Sequence, residues 1–232
     1  MIIAIGDVHG KFNLLSQRMK EITDGVTGVN FVQVGDFGIG FEHPRNDFKE
    51  LSRLNDILID RSSMMYIIRG NHDNPSFWHK GCGFSFSNIQ FVSDGSTLQI
   101  DDMVCYFAGG AYSVDRARRH QGIDYWSGEL FVDSSDELHQ KIDVLFTHDV
   151  YHPCSPFTIY GSETVRYFQS EDPFLIGDLQ KSQIRMEELY NKILNTNPTF
   201  TWYHGHYHES HVTNNNEQIT HSLSELEFKE VR

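Results

Sequence analysis

Five short stretches rich in histidine and aspartate punctuate the chain. They read Gly-Asp-Val-His-Gly at 6–10, Gly-Asp-Phe-Gly at 35–38, Gly-Asn-His-Asp at 70–73, Thr-His-Asp at 147–149 and Gly-His-Tyr-His at 205–208. Together they supply Asp7, His9, Asp36, Asn71, His148, His206 and His208. All are oxygen or nitrogen donors with no thiolate among them. Such a set suits borderline or hard divalent ions such as manganese, iron, zinc or magnesium, and two ions rather than one. A pair of ions held by carboxylates and imidazoles is a device for hydrolysing phosphate esters.

The spacing inside the motifs is consistent with that chemistry. Asp7 and His9 stand two residues apart, and at the end of a strand such side chains point to one side, so both can reach one ion. His206 and His208 repeat the arrangement. Asp36 has two oxygens and can bridge two ions, Asn71 offers a neutral carbonyl oxygen, and His148 offers an imidazole nitrogen. Two divalent ions outweigh the negative charges of Asp7, Asp36 and a bridging hydroxide, which leaves a centre that attracts phosphate. Ions about 3.5–4 Å apart would lower the pKa of the shared water and clamp the attacking and leaving oxygens.

Apolar periodicity indicates what must position these residues. Residues 1–5 form a short apolar run ending in Gly-Asp, as a buried strand would, and Phe12, Leu15, Met19 and Ile22 then recur at helical spacing. A second strand at 30–34 again ends in Gly-Asp. Phe48, Leu51, Leu54, Leu58 and Ile59 mark a helix, and a third strand at 64–68 runs into Arg-Gly-Asn-His. Strand–helix alternation of this kind predicts a largely parallel sheet, in which ligands bind beyond the carboxyl ends of the strands. The first three motifs fall there.

After His79 the pattern changes. Runs at 89–92, 97–100 and 103–108 predict a second, mainly antiparallel sheet. A strand at 143–147 leads into His148, a helix covers 184–194, and a strand at 199–204 leads into the last motif. Runs at 211–213 and 218–222 flank Asn214-Asn215-Asn216 and predict a hairpin. Residues 1–232 read as one domain, with a long irregular insertion around 151–181, where prolines and glycines collect.

Composition narrows the setting. The 232 residues carry a formal net charge of −13, which opposes bulk binding to nucleic acid or to anionic membranes. The chain is 39% hydrophobic, ordinary for a globular protein. Cys82, Cys105 and Cys154 are an odd number with no Cys-x-x-Cys pair, fitting a reducing compartment and no disulfide scaffold. No stretch approaches a membrane span, so the expected setting is soluble and cytoplasmic.

The five motifs in this order resemble those of the calcineurin-like metallophosphoesterases, and the resemblance runs from residue 6 to residue 208. It implies an α/β fold of four layers, αββα, with two central mixed sheets flanked by helices. It also implies that one ion takes Asp7, His9, Asp36 and His208, and the other Asp36, Asn71, His148 and His206. His72 resembles the family's histidine that contacts phosphate and helps protonate the leaving group. Two departures follow the second motif. Ile39 replaces the aspartate that would orient His72, and Gly40 replaces the arginine that would grip phosphate. Arg69, before the third motif, and the arginines at 116–119, Arg116 first among them, are the candidates to supply that grip. The segment from Gly109 to Arg116, continuing to Arg119 and Trp126, is similar to one in a subset of small bacterial and phage phosphoesterases.

Plainer readings apply to many other residues. His43, His79, His120, His139, His152, His204, His211 and His221 read as surface or core residues, His204 facing away from the ions by strand alternation, although His120 lies in the arginine-rich segment. Asp73 is a candidate cap for a following helix. Phe37, Phe41, Trp78 and Trp126 are candidates to stack on a base or aryl leaving group, or else packing residues. The resulting expectation is a phosphoesterase using two divalent ions, manganese before iron, zinc or magnesium, in which a bridging hydroxide attacks a phosphate ester. Monoester and diester both remain open. The rivals are a serine/threonine phosphoprotein phosphatase, a non-catalytic scaffold that binds a partner protein, and simple metal storage.

Overall fold

The computed structural model describes residues 1–40, 44–78, 84–131, 140–156, 162–215 and 218–232. Phe41, His43, His79, Cys82, His139 and Asn216 lie outside the described residues.

The chain runs β1 (Ile2–Ile5), α1 (Phe12–Ile22), β2 (Asn30–Gln33), α2 (Pro44–Asp60), β3 (Met64–Ile67) and β4 (Ile89–Phe91). It continues through β5 (Thr97–Ile100), β6 (Met103–Ala108), β7 (Val144–Thr147), α3 (Glu163–Gln169) and α4 (Leu175–Thr196). It closes with β8 (Thr201–His204), β9 (His211–Asn215), β10 (Gln218–Ser222) and β11 (Phe228–Glu230). One sheet has the order β11-β1-β2-β3-β4, and the other β5-β6-β7-β8-β10-β9.

Side-chain alternation along β1 shows why the layers form. Its four residues are all buried. Ile3 and Ile5 face outward to α1 and α2, packing with Leu15, Met19, Leu51 and Leu54. Ile2 and Ala4 face the second sheet, in a cluster with Val32, Phe107, Phe146 and Tyr203. The far face of the second sheet packs Tyr106, Leu145 and Trp202 against Leu179, Met186, Leu189 and Ile193 of α4. Helices, sheet, sheet and helices therefore stack as four layers around three cores, and both sheets are mixed.

Three details differ from the pattern read in the sequence. β4 joins the first sheet, parallel to β3. The second sheet is not mainly antiparallel, because β6, β7, β8 and β10 pair in parallel and only β5 and β9 run against their neighbours. The segment 151–181 is partly helical, holding α3 and the first turns of α4. Ser162 starts α3 by accepting a hydrogen bond from the Val165 backbone N–H. The predicted hairpin at 211–222 is present as β9 and β10. Among the described residues, no helix is long and apolar enough to cross a membrane.

Candidate metal centre

The five motifs all lie just past strand ends. Val8 and His9 donate backbone N–H bonds to the Asp36 carbonyl, tying the β1 and β2 loops together. The Asp73 carboxylate then laces the third motif to the second. It accepts from Gly70 N at 2.8 Å, Gly38 N at 2.7 Å and Phe37 N at 3.1 Å, so it is a cross-link between loops and not a helix cap. Burial and the nearby Asp36 charge push Asp73 up to about 6, against those backbone donors. Asp149 links the last two motifs by accepting from the Tyr207 hydroxyl at 2.9 Å.

These loops are pulled tight. His9, Asp36, His206 and His208 all have positive φ, at 46°, 53°, 70° and 53°. Non-glycine residues rarely adopt such values, and they collect at functional sites. The flanking glycines permit the close approach. A Cβ at Gly70 would collide with Asp36 Oδ1, and one at Gly205 with Asp7 Oδ1.

Seven predicted ligands converge. Asp7, His9, Asp36 and His208 each place one donor atom within 4.8 Å of the others. His9 Nε2 and His208 Nε2 are 3.0 Å apart, and His208 Nε2 is 3.0 Å from Asp7 Oδ2. Next to this group, His148 Nε2 lies 2.9 Å from Asn71 Oδ1 and 3.4 Å from Asp36 Oδ1. The His206 ring centroid is 5.1 Å from that of His148.

Hydrogen-bond directions show what the second group is prepared for. His148 Nδ1 is 2.9 Å from the Val34 carbonyl, which can only accept, so Nδ1 carries a proton. Nε2 is left facing two oxygens that also accept. Three acceptor atoms meeting in a buried space need a positive charge between them. In the chain alone a proton fills that place. Burial opposes it, yet Asp36 and Asp7 push the His148 imidazole up to about 10. Burial likewise opposes charge on Asp36, but His148, His72 and His9 hold it below the usual carboxylate range. A divalent ion in the proton's place would satisfy the same atoms, so the donor set fits a metal. Burial holds His206 well below the usual histidine range, keeping it neutral as a ligand must be.

Those donors sit within a wider match. A family model for calcineurin-like phosphoesterases matches residues 1–210. The chain belongs to that family. A search of curated proteins finds no match. Family membership points to a hydrolase and agrees with the four-layer fold, while the choice of substrate has to come from the chain's own residues.

The arginines need the largest correction. Arg69 is 5% exposed, and all five of its N–H groups are engaged. Nε and Nη2 reach Asp94 at 2.9 and 2.6 Å, Nη1 reaches the Gly128 and Glu129 carbonyls, each at 2.8 Å, and Nη2 also reaches the Leu130 carbonyl at 2.6 Å. A guanidinium has five donors, so none is left for phosphate. Arg116 also turns away. It bonds Asp172 and Asp178 and lies 4.4 Å over the Tyr112 ring, fastening its segment to α4 and the turn before it. Arg118 pairs with Glu171 on the same side. Arg119 is the one that faces the centre. Its Nη2 is 2.7 Å from His72 Nε2 and 2.7 Å from Asp115, and it lines a cavity with Asp36, Asn71, His206 and His208. Because arginine only donates, His72 Nε2 is the acceptor in that contact, and burial lowers the His72 pKa.

Two residues were not singled out from the sequence. Ser113 accepts from Asn71 Nδ2 at 2.9 Å and donates to Glu129 at 2.7 Å. Burial pushes the Glu129 carboxyl up to about 7, against its bonds from Ser113. The only sequence signal was the family-like segment that starts at Gly109. Two of the aromatic candidates are packing residues: Phe37 and Trp78 are buried in the first outer core, and Trp78 donates to the Ile67 carbonyl. His204 is buried, and burial pushes it to about 3. His120 is mostly exposed beside Asp124.

Proposed function

We propose that the chain hydrolyses phosphate esters with two divalent ions, manganese foremost, held by Asp7, His9, Asp36, Asn71, His148, His206 and His208. The observation that carries this reading is the meeting of His148 Nε2, Asn71 Oδ1 and Asp36 Oδ1 beside the four-donor group of Asp7, His9, Asp36 and His208. Two ions held there would lower the pKa of a shared water and bind phosphoryl oxygens.

The protein's own groups then divide the remaining work. Arg119, fixed by Asp115, presents a cation to the phosphate and replaces the arginine missing at Gly40. His72 stands beside it, its ring 5.3 Å from that of His9, within the group that meets the leaving oxygen.

Two cavities favour a diester over a monoester. One, of about 570 Å³, is lined by His9, Phe12, Asn13, Lys49, Glu50 and His72. The other, of about 360 Å³, has His72, Arg119, Val165, Phe168 and Tyr207 in its walls. They share His72, and each is large enough for an organic group. A monoester has a group for only one of them. The test is paired initial rates on para-nitrophenyl phosphate and bis-para-nitrophenyl phosphate, after metal is stripped and manganese restored. Manganese-dependent turnover favouring the diester is the expected result. A monoester preference would return the phosphoprotein phosphatase reading, and no turnover with two ions bound would favour the scaffold.

A further inference from the structure

We propose that Ser113 and Glu129 are positioning residues that fix the Asn71 side-chain amide so that its oxygen, and not its nitrogen, faces the metal centre. This rests on the dinuclear reading above.

An asparagine amide can present either end, and only its neighbours decide which. Here the decision can be followed atom by atom. An ionised glutamate only accepts, and Glu129 is ionised above about pH 7, where the chain of bonds runs one way. Glu129 Oε1 takes the Ser113 backbone N–H at 3.0 Å, and Oε2 takes the Ser113 hydroxyl proton at 2.7 Å. With its one proton spent, Ser113 Oγ can only receive. It receives Asn71 Nδ2 at 2.9 Å and Arg119 Nη1 at 3.2 Å. Asn71 Oδ1 is thereby turned to His148 Nε2 and the ion position. The opposite orientation would aim an N–H pair at the cation.

Burial makes the direction binding. Glu129 and Ser113 are each 1% exposed and Asn71 is 2% exposed, so an unmatched donor in this chain has no solvent to turn to. Glu129 itself cannot drift, because Arg69 holds the Gly128, Glu129 and Leu130 carbonyls. Arg69 lies two residues before Asn71. The strand end that offers the ligand therefore also anchors the loop that aims it.

E129Q is nearly isosteric but supplies an NH2 group where one accepting oxygen stood. The Ser113 hydroxyl must then turn toward Asn71 or face a second donor, which reverses or breaks the chain. S113A removes the link outright. The experiment is manganese titration by calorimetry on metal-stripped wild type, E129Q and S113A, with thermal unfolding of each metal-free protein as the folding control. Wild type is expected to take two ions. Either variant that folds is expected to weaken one of them by about 10–100-fold, the usual cost of losing a ligand's outer partner, and to leave the other unchanged. Wild-type affinity for both ions in a folded variant, or equal weakening of both, overturns the positioning role. Fewer than two ions on wild type is a separate result that overturns the dinuclear reading on which it rests.

Discussion

The two halves of the donor cluster differ in their access to solvent. In the half made by Asp7, His9, Asp36 and His208, the His208 side chain is 48% exposed and that of His9 is 23% exposed. In the half made by Asn71, His148 and His206 with the shared Asp36, the His148 side chain is wholly buried and Asn71 nearly so. The outer half opens toward the cavities through His9 and His208. The inner half is the more enclosed, although Asn71 and His206 reach the wall of the Arg119 cavity, and it is oriented by Val34, Ser113 and Glu129.

Asp36→Asn strikes both halves at once and is the most damaging change. It should reduce manganese-dependent turnover by more than about 100-fold, since losing an outer partner alone costs about 10–100-fold. Metal analysis of the purified variant should find less than the wild-type content. Turnover at the wild-type rate would break the idea that this carboxylate joins the halves.

His148→Ala and His208→Ala test the contrast itself. Without His148, the buried Asp36 carboxylate loses its charged partner, and the metal-free fold should lose about 3–5 kcal/mol in denaturant unfolding. His208→Ala should cost the metal-free fold less than His148→Ala does, because His208 is 48% exposed although its partner Asp7 is buried, while still weakening one ion. Equal destabilisation by both would erase the distinction between enclosed and open.

Arg119→Ala and Arg116→Ala sharpen the role of the 109–129 segment. Arg119→Ala should lower kcat/KM by about tenfold or more, the value of a hydrogen bond to a charged group, with little change in metal content. Arg116→Ala should chiefly loosen the segment, seen as faster proteolysis with a smaller change in kcat/KM.

A last test concerns pH. Burial raises Glu129 from 4.5 to about 7, so between those values the folded chain keeps a proton that the unfolded chain has released. Its contribution to metal-free stability is full below about pH 4.5 and is lost as pH rises through about 7. E129Q should flatten that part of the stability curve, by at most about 3 kcal/mol. A curve identical to wild type would show that Glu129 does not titrate there.

The convergence of the candidate ligands was legible in the sequence because strand ends deliver them. Each follows an apolar run, and chain direction alone puts the loops on one edge. What surrounds them was harder to read. Arg69 looks like a phosphate grip until the Gly128, Glu129 and Leu130 carbonyls close on it, and those residues lie about sixty positions away. Ser113 reaches Asn71 across 42 positions, and Arg119 reaches His72 across 47, with no periodicity to announce either. The apolar spacing predicts a helix from 184, yet Ile184 is exposed and the buried stripe of α4 begins at Leu175 and Leu179. β4 is only three residues long, too short for its pattern to reveal which sheet takes it.

Four candidate ligands, His9, Asp36, His206 and His208, occupy backbone conformations that glycine would adopt with less strain. Glycine has no side chain with which to hold an ion, so the chain carries this strain permanently. Anything that binds only the folded form repays it by mass action. A cell short of the ion should therefore lose the protein itself, through unfolding and turnover of the chain, as well as the activity. For such a protein, metal supply would set abundance.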